Sequence, residues 1–328
     1  MTSYPISLII PVLNEEPIIG KLLLQFAGQN KRHPPFRLVI VDNGSHDRTA
    51  HLVTMWCKKL TLPHLLLHEP ARGIAEATKR GFEAALDSRV LVKLDADSRV
   101  SPSFLHDVWN EINKPETDGI YGSFVFPWDI YIGWSTKKRS VYTTLTGQRK
   151  QISQATRRWR PEIFQGPFYA VTSRAYRKSG GVQLGATVLR YNDDIEFSVR
   201  LDRMGFRIRK TGISVGISPR RLEEHFDAYV TGELYWGESP DTIRVRHSQP
   251  TVGVLTERMI RAVASFHLRL LAYQLMNGSR TKSMQVLFDA IGIPVEPYRS
   301  MSMTDEQLLR RLKKDAEKKI ISYLYRYV

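Results

Sequence analysis

The chain has 328 residues, 42% of them hydrophobic and 25% charged, and so reads as an ordinary soluble globular protein with ample core. Its formal charge of +15 predicts an anionic partner: nucleic acid, an acidic membrane surface or a phosphate-bearing substrate. The single cysteine, Cys57, excludes an intramolecular disulfide framework and suits a reducing, cytoplasmic setting.

No basic region followed by an apolar stretch precedes the first predicted strand, so no secretory signal is expected. Ile6 to Leu13 (ISLIIPVL) reads as a buried strand, after which Asn14-Glu15-Glu16-Pro17 opens an amphipathic helix through Ile18, Ile19, Leu22, Leu23 and Phe26. Phe36 to Val41 is a second strand ending in the turn Asp42-Asn43-Gly44-Ser45, with Asp47 placed to cap the next helix. Leu65 to Leu67 is a short third strand. Ala71 to Leu86 (ARGIAEATKRGFEAAL) is a helix whose small residues allow it to lie close on a sheet.

A fourth strand runs through Val90, Leu91, Val92 and Leu94 and stops at Asp95-Ala96-Asp97. Strands alternating with helices imply parallel βαβ units, and in such sheets ligands bind at the carboxyl ends of the strands. Two carboxylates one residue apart there are either a solvated turn or a seat for a hard divalent cation such as Mg²⁺ or Mn²⁺. On a D-x-D alone the solvated turn is the commoner explanation.

Ser101-Pro102 starts a helix through Phe104, Leu105, Val108, Trp109 and Ile112, and Gly119 to Phe126 is a further strand. Between Lys137 and Arg160 there are eight Lys or Arg and no acid, either a solvated helix face or a surface that attracts phosphates. Phe164 to Ala170 reads as a buried strand, and Ser173 as the cap of a helix ending near Gly180-Gly181. Asn192 to Met204 (NDDIEFSVRLDRM) is a helix with Asp193, Asp194 and Glu196 in its first turn, followed by a strand from Phe206 to Ile213. From Glu223 onward the pattern is mainly helical. The most apolar long segment, near 254–276, is interrupted by Arg258, Arg261, His267 and Arg269 and is too polar to be expected to span a membrane. The last helix, 306–327, is basic and amphipathic, suiting either the core or an anionic membrane surface.

Five motifs stand in order: SLIIPVLNEE, VDNGSHDRT, ARGIAEATKRG, LDADS and NDDIEFSVRLDRMG. Over roughly residues 6–215 this resembles the inverting family-2 glycosyltransferases of the GT-A fold. The resemblance implies a Rossmann-like α/β fold with a mixed, mainly parallel central sheet. A catalytic domain would cover 1–222, with a nucleotide-sugar half at 1–100 and an acceptor half at 101–222, and a helical extension would occupy 223–328. It further implies that Pro11, Asn14, Glu15, Asp42, Arg72 and Asp95 contact the nucleotide sugar, and that Asp97 ligates Mn²⁺ or Mg²⁺ on the diphosphate. Asp194 would be the general base that deprotonates the acceptor hydroxyl. The family's E-D-x-[D/E]-[L/F] pattern is met by Asp193 to Phe197, with Asp193 in place of Glu. His247, in IRVRHSQP, lies where related enzymes often carry a late metal-binding histidine; the other reading is an ordinary surface histidine.

A Rossmann dehydrogenase would need G-x-G-x-x-G after the first strand, and a sugar nucleotidyltransferase a Gly-rich basic loop; IIPVLNEE offers neither. The expected activity is metal-dependent inverting transfer of a hexosyl-type sugar from a nucleoside-diphosphate donor to a hydroxyl acceptor, in polysaccharide, glycolipid or cell-envelope glycan synthesis. The expected place is cytoplasmic, with peripheral contact at an anionic inner membrane face, and no nucleic acid partner is expected. The alternatives are a retaining GT-A enzyme, or a basic membrane- or nucleic-acid-binding protein with a degenerate catalytic domain.

Overall fold

The structure, a computed structural model, describes residues 4–125, 142, 164, 166–183 and 193–220. All of these except 142 and 220 belong to one compact unit. His247, most of the basic stretch at 137–160 and the C-terminal helical region lie outside the described residues, as does the expected boundary at 222/223.

The uninterrupted apolar runs become strands because only the interior of a sheet covered on both faces accepts such runs. The strands are β1 (Ile6–Val12), β2 (Phe36–Asp42), β3 (His64–His68), β4 (Val90–Leu94), β5 (Gly119–Val125), β6 (Phe168–Thr172) and β7 (Ile208–Gly216), of which β3 and β7 are more polar and less buried. Among the described residues they form a seven-stranded sheet in the order β3-β2-β1-β4-β6-β5-β7. The first four strands are mutually parallel, with Ile6 opposite Phe36 and Val90. β6 runs antiparallel to both of its neighbours, β4 and β5, and β5 pairs parallel with β7. The sheet is therefore mixed and mainly parallel, as expected.

The strand period of two divides the core between the two faces. On one face Ile6, Leu8 and Ile10 pack with Leu22, Leu23 and Phe26 of α1 (Ile19–Ala27) and Phe104, Leu105 and Val108 of α4 (Phe104–Ile112). That face also receives Val53 and Cys57 of α2 (Thr49–Lys59). On the other, Ile9, Val39, Val41 and Leu91 meet Ala77 and Phe82 of α3 (Ile74–Glu83). Ala175 and Tyr176 of α5 (Ser173–Lys178), with Phe197 and Leu201 of α6 (Asp193–Arg203), complete that face.

Several boundaries differ from the sequence expectations, the last strand running Ile208–Gly216 rather than 206–213 among them, and three have a local reason. α3 begins at Ile74 rather than Ala71, because Gly73 adopts φ 149 and breaks the chain direction just before it. β6 begins at Phe168 rather than Phe164, since Pro167 has no N–H to give to a ladder. Phe164 is still buried, its ring stacked on Tyr169 at 4.5 Å between centroids. The cap of α5 is Thr172, whose hydroxyl accepts from Ala175 N at 3.2 Å, and Ser173 is the first helical residue.

Candidate active site

The carboxyl ends of β1 to β4 bring their loops to one edge of the sheet, and most of the residues singled out in the sequence lie there. Val12 and Asp42 are directly opposed at the last rung of the β1–β2 ladder, one residue beyond Pro11 and Val41. Asp42 is 8% exposed; its Oδ1 accepts from Ser45 N at 3.1 Å and its Oδ2 lies 3.8 Å from His68 Nδ1. Asn14, with φ 55, takes a left-handed turn that asparagine tolerates better than most residues. It joins two loops: its N–H donates to Ser45 Oγ at 3.0 Å and its Oδ1 accepts from His46 N at 2.9 Å. Glu15 gives its N–H to Thr49 Oγ1 at 2.8 Å, and its carbonyl accepts from Ile18 N and Ile19 N to start α1.

Arg72 is exposed, with a guanidinium nitrogen 3.3 Å from His46 Nε2. The residue that places it is Asn43, which the sequence offers only as part of a turn. Asn43 is 5% exposed, and its Nδ2 donates to Glu69 O at 3.0 Å and Ala71 O at 2.7 Å, while its Oδ1 accepts from Gly73 N at 2.9 Å. Asn43→Ala leaves those three main-chain groups without their partner. We expect it to lower stability by about 1–3 kcal/mol in urea titration, and to weaken nucleotide binding by loosening the Arg72 loop.

The D-x-D lies in a turn beyond the strand end. β4 stops at Leu94, and residues 95–98 form a turn closed by Ser98 N to Asp95 O at 3.1 Å. Alternation along a strand therefore does not govern Asp97, which is half-buried. Asp95 is tied to β6 by its own N–H, which donates to Pro167 O at 3.1 Å, and its carboxylate accepts from the Lys93 ammonium. The same ammonium donates to Gly166 O. Lys93 sits among apolar residues of β4 and is 2% exposed, and its location inside an apolar run hid it in the sequence.

The last contributor is the N-terminus of α6. Phe197 seats this helix among Phe164, Tyr169 and Tyr176, with ring centroids 5.6–6.5 Å away. Arg200 anchors it by donating to Glu196 Oε1 at 2.8 Å and to Gly181 O at 2.6 Å. Of the three carboxylates in the first turn, Glu196 is thus engaged within the helix. Asp194 is 8% exposed and Asp193 is partly buried.

Burial, and after it the charge of Asp193, pushes the Asp194 carboxyl up to about 7. The positive charge of Lys93 and the Ile195 N–H act in the opposite direction without cancelling that rise. Asp193 is also raised, chiefly by burial. Burial alone would lower the Lys93 ammonium, but the charge and hydrogen bond of Asp95 and the charges of Asp193 and Asp194 hold it above its ordinary value. Asp95, Asp193, Asp194 and Lys93 are thus one electrostatic group. A buried carboxyl that titrates near neutrality can take a proton from a hydroxyl at physiological pH.

No group of three or more His, Cys, Asp or Glu placed to hold a metal ion occurs among the described residues. Asp95 and Asp97 nonetheless suit a small hard cation chemically. Mg²⁺-type sites are commonly held by one or two carboxylates, with water and substrate phosphates supplying the other oxygens.

A mixed α/β sheet carrying a D-x-D and a buried carboxylate at its carboxyl edge is the arrangement of GT-A glycosyltransferases. Residues 7–180 match the family described as Glycosyl transferase family 2. The chain belongs to that family. Among curated proteins it is 27% identical over 118 residues to the uncharacterized protein MJ0544 of Methanocaldococcus jannaschii, covering 35% of this chain and 49% of that one. It is 26% identical over 121 residues to the glycosyltransferase AglE of Haloferax volcanii, covering 37% and 40%. The matches thus span about half or less of those relatives.

Among solved structures, the mannosyltransferase PcManGT from Pyrobaculum calidifontis, in complex with GDP-Man and Mn²⁺, shares the fold with a TM-score of 0.52 and 18% identity. That likeness covers 98% of this chain and 86% of that one. S. aureus TarS 1-349 in complex with UDP-GlcNAc gives a TM-score of 0.50 and 18% identity, covering 98% and 91%.

Proposed function

We propose that the protein is a metal-dependent inverting glycosyltransferase, moving a hexosyl-type sugar from a nucleoside-diphosphate donor to a hydroxyl acceptor. The observation that carries this reading is Asp194, a buried carboxylate at the start of α6, held near neutrality on the electrostatic group that includes Asp95. Asp194 takes the acceptor's proton as that oxygen attacks the anomeric carbon; displacement by a single attack inverts the configuration there. Pro11 and Asp42 line the base and ribose, with Asn14 and Glu15 fixing the loop between them. Arg72 meets the diphosphate or the base edge, since a guanidinium offers a planar set of donors to either.

A divalent cation would be held by Asp97, with His247 as a further ligand, and when bound it supplies positive charge for the departing diphosphate. PcManGT with GDP-Man and Mn²⁺, and TarS with UDP-GlcNAc, support both the donor class and the metal by analogy of fold.

For the acceptor, the +15 charge and the eight Lys or Arg between 137 and 160 support an acidic or lipid-phosphate-linked sugar presented at an anionic membrane face. No helix among the described residues is long and apolar enough to cross a membrane. Vesicles containing anionic lipid should bind the protein at low salt and release it at high salt; absence of binding at low salt would remove the membrane from the proposal while leaving the transfer reaction.

The direct test is a thermal-shift screen of UDP, GDP, UDP-glucose, UDP-GlcNAc and GDP-mannose, each with and without Mn²⁺ or Mg²⁺. A ligand at a hundredfold its dissociation constant stabilises by about 2.7 kcal/mol. The expected result is a shift for one nucleotide that depends on metal, followed by an inverted anomeric product by NMR. A screen with no metal-dependent shift, or a product of retained configuration, would contradict the proposal.

A further inference from the structure

Lys93 is placed at the centre of the site and has no role in the chemistry above. It lies 2% exposed on β4, and a lysine is almost never that buried without a partner. Here the ammonium holds two groups together: the carboxylate of Asp95, beyond the end of its own strand, and the main-chain carbonyl of Gly166, just before β6. Gly166 in turn backs onto the base. A Cβ built on Gly166 would lie 3.5 Å from Asp194 Oδ2, so the backbone that Lys93 grips passes close to the Asp194 carboxylate, with room for about one methyl group between them.

Among the described residues, the other groups whose influence on Lys93 is resolved are acidic or neutral. Asp193 and Asp194 reach it electrostatically from α6. From β6 comes Tyr169, directly opposite Lys93 in the ladder, with a buried hydroxyl that has no hydrogen-bond partner among the described residues. This hydroxyl is kept protonated by burial and by the neighbouring carboxylates, so it carries no charge into the site. The ammonium is therefore bonded to Asp95 and acts through its charge on Asp193 and Asp194. Removing one member of a buried ionic group leaves the others uncompensated, which is far more damaging than losing a surface pair.

We propose that Lys93 is a positioning residue for the base: by joining Asp95 to the Gly166 carbonyl it fixes the seat of Asp194, and its ammonium offsets the negative charge gathered there. This rests on the assignment of Asp194 as base. A purely structural role, tying β4 to the chain before β6, would need the two hydrogen bonds but would not depend on the charge of Asp194.

Four full-length proteins separate these roles in the absence of added metal: wild type, Lys93→Met, Asp194→Asn and the double variant, melted at pH 8. Methionine keeps the length of the stem and removes the charge. The expected result is strong non-additivity, with Asp194→Asn raising the Tm of Lys93→Met by at least about 5 °C more than it raises that of wild type. If Lys93→Met does not fold, the double variant is expected to fold. Equal shifts in the two backgrounds, or a double variant that also fails to fold, would make Lys93 a strand tie and overturn the proposal.

Turnover, read as diphosphate release from the nucleotide sugars of the screen above, should fall about 100-fold in kcat for Lys93→Met and recover in part for Lys93→Arg. Lys93→Met turnover within threefold of wild type would also overturn it. The single Asp194→Asn variant keeps the two failures apart. Full turnover by that variant overturns the base assignment and this inference with it; an inactive Asp194→Asn beside a fully active Lys93→Met overturns this inference alone.

Discussion

Asp194→Asn is expected to lower sugar transfer by about 10²–10⁴-fold while making the folded protein more stable above neutral pH. The two effects have one origin. The Asp194 carboxyl titrates near 7 in the folded chain against an ordinary 3.8. As pH rises from about 4 to about 7 the unfolded chain releases this proton and the folded chain keeps it, so stability falls across that window and levels off above it. Asparagine has no proton to release and does not suffer the fall. The advantage of the variant should be near zero at pH 4 and on the order of 4 kcal/mol at pH 8.

Among the described residues the groups that act on Asp194 are Asp193, Asp95 and Lys93, with Tyr169 neutral, and none of them reverses this sign. Wild-type transfer should correspondingly lose rate as pH drops below about 7, where the base becomes protonated. Thermal melts of both proteins at pH 5 and pH 8 test the stability half. An equal difference at the two pH values would show that Asp194 is not held protonated in the folded chain.

Gly81→Leu is expected to destabilise the protein by about 3 kcal/mol or more, and even Gly81→Ala should be net destabilising. In an exposed helix the alanine change would gain about 1 kcal/mol from propensity alone. Gly81 is instead the point at which α3 lies on the sheet. A Cβ there would stand 2.5 Å from Ile9 Cγ2 and 3.0 Å from Val41 Cγ2, and both of those side chains are fully buried, with no free space to retreat into. The packing penalty therefore outweighs the propensity gain. Urea unfolding gives the sign directly: a Gly81→Ala protein more stable than wild type would mean that α3 can lift from β1 and β2 without cost. Because α3 follows the Arg72 loop, the larger variant should also weaken nucleotide binding.

Small residues on α3 were readable in the sequence as a sign of close approach, and Gly81 is where that reading is met. The same holds for β1, β2 and β4, whose apolar runs have only one stable environment, between two layers of helices. Where a feature depended on partners distant in the chain, sequence was a poorer guide. Lys93 is silent because its significance comes from Gly166, 73 positions later, and from α6. Asn43 looks like any turn asparagine until the chain from Glu69 to Gly73 arrives to be bound by it. Asp97 lies in a turn that alternation cannot foresee, and Glu196, one of three similar acids, is separated from Asp194 by its bond to Arg200 and its lesser burial.

The reversed direction of β6 has a consequence for how such a site can change over generations. Because β6 enters at the edge where β4 leaves, it meets β4 with main-chain carbonyls: Pro167 O receives the Asp95 N–H and Gly166 O receives Lys93. Main-chain groups are present whatever the residue, so substitution cannot delete these acceptors, and even at residue 166 an added Cβ would meet Asp194 Oδ2 at an ordinary 3.5 Å. Substitutions in the chain between β5 and β6 therefore leave the two acceptors that anchor Asp95 and Lys93 in place.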